Sequence, residues 1–204
     1  MSRLPYRLRV AMVALSTLLA VPLTYAVYQL VNDNFHAVGN GALYRAGQMS
    51  AVELQVTLVE GHIRTVLNLR GAHPEERWYV AEASVAAGNG VRYVSIPISS
   101  GKEPDMATMT RIADVLRDSP KPILVHCQGG ADRTGLASAI YQLAVAGESE
   151  DVADDQLSVL FGHIPWFGSR TIAMDRAFEA FAENWEAANG IDIAEEESER
   201  SFFR

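Results

Sequence analysis

The sequence predicts an α/β fold, a central and largely parallel sheet flanked by helices, with an N-terminal transmembrane helix ahead of it. Three observations carry this. Short apolar runs alternate with helical patterns through the middle of the chain, and an uncharged apolar run from Val10 to Val31 precedes them. A glycine-rich turn directly follows the run Ile123–His126 and leads into another helical pattern. Parallel strands need crossover connections, usually helices, so regular alternation points to a parallel sheet.

Taken in order, Arg3, Arg7 and Arg9 stand before the apolar run. At ~1.5 Å per residue the run is long enough to cross ~30 Å of hydrocarbon, and Pro22 is tolerable in such a helix. Positive charge ahead of the run places the N-terminus in the cytoplasm and exports the remainder. A cleaved signal peptide is the rival reading, with Val10–Ala20 as its apolar region and Thr24–Ala26 as cleavage positions. Both readings put the following domain outside the cytoplasm, and the first places it at the inner membrane as a single-pass protein facing the periplasm. Residues 32–41 then read as a linker, 42–190 as the domain, and 191–204 as an acidic, disordered tail containing Glu195, Glu196, Glu197 and Glu199.

Within the domain, Thr65–Leu69, Val91–Ile96 and Ile123–His126 read as strands, and Glu75–Ala87, Met106–Arg117 and Thr134–Ala146 as helices. Gly88-Asn89-Gly90 stops the first of these helices, and Pro120 and Pro122 follow the second. Two further helices are expected over Val152–Phe161 and Ser169–Ala188. The 204 residues carry a net charge of −8, without a basic stripe interleaved with aromatics, so nucleic acid is not an expected partner. The single cysteine, Cys127, rules out an internal disulfide and a multi-cysteine zinc site. No metal or other cofactor is expected.

The segment from His126 to Gly135 carries chemistry. A strand delivers Cys127 to the carboxyl edge of the sheet, where open α/β sheets bind ligands. Gly129 and Gly130 relax the turn, so that backbone N–H groups from Gln128, Gly129, Gly130 and Ala131 through Arg133 can converge on an anion. The helix beginning near Thr134 adds its positive end, and Arg133 a planar fork suited to two phosphate oxygens. The same field favours the ionised sulfur of Cys127 as a nucleophile. His126 is expected to orient the loop, and Thr134 to donate to the sulfur as it departs.

His126-Cys127, five residues, then Arg133-Thr134 resembles the signature of the protein tyrosine phosphatase superfamily. The likeness is to its compact, dual-specificity-like and bacterial branch. It extends through Leu43–Gln48, Thr65–Arg70 and Ser100–Pro104, about half the chain. It implies a phosphomonoester hydrolase working through a phosphocysteine intermediate, on phosphotyrosine or another phosphoprotein, or alternatively on a phosphorylated lipid. A non-catalytic phosphate-binding module is the third possibility, one with no need of the cysteine. Arg45 and Arg70 stand where related enzymes place residues near the pocket.

Such enzymes need an acid to protonate the leaving oxygen. Relatives place an Asp on a loop well before the cysteine, yet Pro97–Gly101 contains no acid. Some bacterial phosphatases of this superfamily carry an Asp immediately before the loop arginine, and that resemblance makes Asp132 the preferred donor. Asp105 and Glu103 are the other candidates, and Asp105 is equally suited to capping the helix that starts at Met106. His62 and His163 read as structural histidines, and Phe161–Phe167 as core or as a lipid-facing rim.

Overall fold

The computed structural model describes residues 5–166 and 168–189. Arg3, Phe167 and the acidic tail lie outside them. Helix α1 spans Tyr6–Val31 and is long and apolar enough over Met12–Gln29 to cross a membrane. Strands β1 (His36–Val38), β2 (Leu43–Ala46), β3 (Thr65–Asn68), β4 (Arg92–Ser95) and β5 (Ile123–His126) form one sheet in the order β1-β2-β5-β3-β4. All neighbours are parallel except β1 and β2. The stretch read as a linker therefore supplies an edge strand, with His36 paired to Arg45. Three residues are too few to show the alternation by which a strand is recognised.

Helices α2 (Ala51–Glu60) and α3 (Arg77–Gly88) pack together over one face of the sheet. Helices α4 (Met106–Asp118), α5 (Asp132–Tyr141) and α7 (Ala173–Asn189) cover the other, joined by the short α6 (Glu150–Asp154). The period of two along each strand feeds the two cores in turn. Ile123, Val125 and Cys127 pack with α4, α5 and α7, whereas Leu124 packs with Leu54, Leu58 and Val66 on the α2 side. Each fully buried side chain of this kind contributes about 1.5–3 kcal/mol.

Two expected helices differ. Thr134–Ala146 begins earlier, at Asp132, and its last turn, Gln142–Ala146, widens to a π-helix closed by Gly147 at φ +74°. The stretch 152–161 is broken: α6 stops at Asp154, and a 3-10 turn occupies Val159–Phe161. The carbonyl of Gln156, free of any helical bond, accepts instead from the guanidinium of Arg45.

Candidate active site

The alternation that sends Val125 into one core decides where the next two residues face. His126 turns to α3, where Glu82 Oε1 lies 2.6 Å from its Nε2, and both side chains are buried. Cys127 turns to the α5 side and is itself buried. Glu82 also accepts from Gln48 Nε2 at 2.5 Å and from the Tyr93 hydroxyl at 3.0 Å. Burial opposes charge on Glu82, but these donors and His126 outweigh it and hold the carboxyl below its usual range. The same burial, beside Glu82, pushes the Tyr93 phenol well upward, so Tyr93 stays a donor. Sequence reading missed this polar network, because Glu82 stands in α3 with no motif around it.

The loop from Cys127 to Arg133 lies at the carboxyl ends of β5 and β3, and Leu69 N–H bonds the carbonyl of His126. Gly130 N–H donates to Cys127 Sγ at 3.3 Å. Gly130 has φ +70°, and a Cβ there would stand 2.6 Å from the backbone nitrogen of Gly47, so only glycine fits. On the outer side, Gln48 N–H donates to the carbonyl of Gln128, and Asn34 Nδ2 to that of Gly129. With its carbonyls held outward in this way, the loop can present N–H groups to an anion. Arg133 NH1 reaches the carbonyl of Ile98 at 3.4 Å, while its Nε is buried without a hydrogen-bond partner among the described residues.

Two expected contacts are corrected by the packing. Arg45, expected near the pocket either to touch substrate or to pair structurally, is wholly buried. It donates to the carbonyls of Gly130, Ala131 and Gln156 and to Gln156 Oε1, and stacks 3.9 Å from the Phe161 ring centre. Its place at an inward position of β2 puts it beneath the loop, as a support. Burial pushes its guanidinium down to about 9, and Cys127 opposes this. Thr134, expected to donate to the sulfur, is wholly buried and donates to the carbonyl of Ala46 in β2 at 3.4 Å. Arg70, in contrast, remains half-exposed; it donates to Gln48 Oε1 and lies 3.6 Å over the Trp78 ring. Burial and then the positive charge of Arg133 lower its pKa.

The three candidate acids separate. Asp105 is exposed and caps α4 by accepting from Thr108 N–H, and Glu103 is exposed and pairs with Arg176 at 3.7 Å. Asp132 sits in the first turn of α5, its Oδ1 2.8 Å from Nδ1 of the wholly buried His163. Asp175 of α7 takes the other ring nitrogen at 3.0 Å. Burial would lower the pKa of His163, but the two carboxylates outweigh it and raise the pKa. His163 was read as an isolated structural histidine, since its partners are far away in sequence. Among the described residues no group of His, Cys, Asp and Glu side chains could hold a metal ion.

Comparison with known proteins places this site in a family. The model of the family described as DSP-PTPase phosphatase fused to NAD+ kinase matches residues 16–163. The chain belongs to that family. That places it in the dual-specificity-like branch of the protein tyrosine phosphatase superfamily. A relative from Oryza sativa subsp. japonica, probable NAD kinase 2, chloroplastic, is 32% identical over 95 residues. That match covers 46% of this chain and only 10% of the relative. Among solved structures, TpbA of P. aeruginosa is 21% identical with a TM-score of 0.52, covering 74% of this chain and 92% of its own. PTPMT1 is 14% identical with a TM-score of 0.56, covering 75% and 99%. The catalytic core of SIW14 from S. cerevisiae, a PP-IP phosphatase, is 19% identical with a TM-score of 0.55, covering 77% and 93%. These three share the fold.

Proposed function

We propose that this chain hydrolyses phosphomonoesters of phosphoprotein substrates, phosphotyrosine among them, through a phosphocysteine intermediate at the cell envelope. The observation that carries the reading is the pairing, in one loop, of a sulfur that accepts Gly130 N–H with an arginine whose buried Nε has no partner among the described residues. A phosphoryl group seated there would meet both the nucleophile and the free donor. The sulfur of Cys127 attacks phosphorus, forming the P–S bond as the P–O ester bond breaks, and Asp132 gives its proton to the leaving oxygen. Water then attacks phosphorus, its proton returns to Asp132, and the P–S bond breaks to release inorganic phosphate and restore the thiolate. Gln128 to Ala131 and Arg133 bind the phosphoryl oxygens, Arg70 borders the mouth, and His126 steadies the loop from behind.

The location is part of the proposal. Arg7 and Arg9 in the first turn of α1, ahead of its apolar span Met12–Gln29, support a single-pass anchor with the catalytic domain on the periplasmic side of the inner membrane. A second reading, hydrolysis of a lipid-borne phosphate, is favoured by the bonds between the end of α1 and the loop beside the site.

Hydrolysis of an aryl phosphate by the full chain, inhibited by vanadate and abolished in Cys127→Ser, is the expected result. Undiminished turnover in that variant would overturn the mechanism. A higher kcat/KM for micellar phospholipid than for phosphotyrosine peptides would favour the second reading.

A further inference from the structure

The segment Val159–Trp166 joins the end of α1 to the phosphate loop. From the α1 side, the Tyr25 hydroxyl donates to the carbonyl of Leu160 at 2.6 Å and Gln29 Nε2 donates to it at 2.9 Å. From the loop side, Asn34 Nδ2 bridges the carbonyls of Phe161, at 2.8 Å, and Gly129, while His163 holds Asp132. The carbonyls of Leu160 and Phe161 and the ring of His163 are therefore turned toward protein.

Its apolar side chains are not. Val159, Leu160, Ile164 and Trp166 are 65%, 61%, 58% and 65% exposed. Single exposed apolar residues are ordinary, but four within eight residues, with no Asp, Glu, Lys or Arg among them, form a patch that needs a cover. These exposures exclude core packing for the four side chains, while Phe161 and His163 between them face the protein. The cover is indicated by what holds the segment: it is tied to the last turns of an apolar helix, the part that leaves the hydrocarbon for the interface. Tyr25 and Tyr28, 40% and 58% exposed, stand on those turns, and tyrosine and tryptophan favour that depth.

We propose that Val159–Trp166 is a membrane-contact segment, seated in the interfacial layer of the bilayer and holding the phosphate loop against its surface. The inference rests on the reading of α1 as an anchor. Its consequence is that phosphoester groups carried close to the bilayer, on a lipid headgroup or on a juxtamembrane protein segment, reach the loop without leaving the surface.

The test uses the full chain in phosphatidylcholine vesicles whose acyl chains are brominated just below the headgroup, because bromine quenches tryptophan on contact. Trp78, Trp166 and Trp185 contribute emission. If the three emit equally and Trp166 alone reaches that depth, the wild type should lose about a third more of its emission than Trp166→Phe. Both proteins should hydrolyse a soluble aryl phosphate within about twofold of one another, which shows that the variant is folded. Equal fractional quenching in a chain that floats with the vesicles would overturn the contact and leave the anchor standing. Failure to float would overturn the anchor and the contact together.

Discussion

Asp132 Oδ1 lies 2.8 Å from His163 Nδ1, and the imidazole is wholly buried between this carboxylate and that of Asp175. The contact ties the first turn of α5, where the phosphate loop ends, to α7 on the same face of the sheet. It fixes one oxygen of Asp132, so the side chain that we propose as proton donor meets the site in a set orientation.

Replacement of Asp132 by Asn should lower kcat by about 10²–10⁴-fold, the usual worth of a positioned acid. Asn still offers an oxygen to His163, so the loop should keep its shape and KM should change little. The pH–rate profile should lose the limb that reports the acid. Asp105→Asn and Glu103→Gln should retain that limb, because each of these exposed acids already serves a surface contact. Steady-state kinetics on an aryl phosphate across pH decides between them.

Replacement of His163 by Asn should destabilise the fold by about 1–3 kcal/mol, the cost of leaving buried polar groups unpaired. The loss should depend on pH. The folded-state pKa of His163 is raised, so in the titration range the folded chain binds more protons than the unfolded one. The stabilisation is then fully present below the unfolded value of ~6.5 and fades as pH rises through the folded value. Thermal melts of wild type and variant from about pH 5.5 to 8.5 should show the gap narrowing upward, a range above the usual carboxylate titrations.

Gly130→Ala should impair both fold and activity. The new Cβ would stand 2.6 Å from Gly47 N and 2.7 Å from Ala46 C, backbone atoms of β2 and the turn after it, at a φ of +70°. Relief of the clash moves Gly130 N–H away from Cys127 Sγ. Loss of one preorganised donor of this kind costs about 10²–10³-fold in kcat. Gly129→Ala is the control, since a Cβ there meets nothing within 4 Å, and it should melt with the wild type.

The candidate site was legible because it is written contiguously. Cys127, Gly130 and Arg133 belong to one turn, and the strand before it, three apolar residues and His126, leaves little choice of where the turn lies. The parallel sheet was legible for a similar reason, since buried strands such as Ile123–His126 carry runs of apolar residues without alternation. β1 was not, being an edge strand of three residues. Nor was the break after Asp154, where Arg45, distant in sequence, takes the carbonyl of Gln156.

By itself the sequence determined the candidate phosphate loop and the central strands, through local pattern: a hydrophobic period, a glycine turn, a cysteine and an arginine at fixed separation. Only the tertiary structure decided what surrounds the turn. It set Glu82 against His126, Arg45 beneath Gly130, His163 and Asp175 behind Asp132, and Leu160 against the end of α1. The physical reason is that a buried charge or donor is satisfied by whichever group the fold brings within about 3 Å, and that partner leaves no periodic trace in the chain.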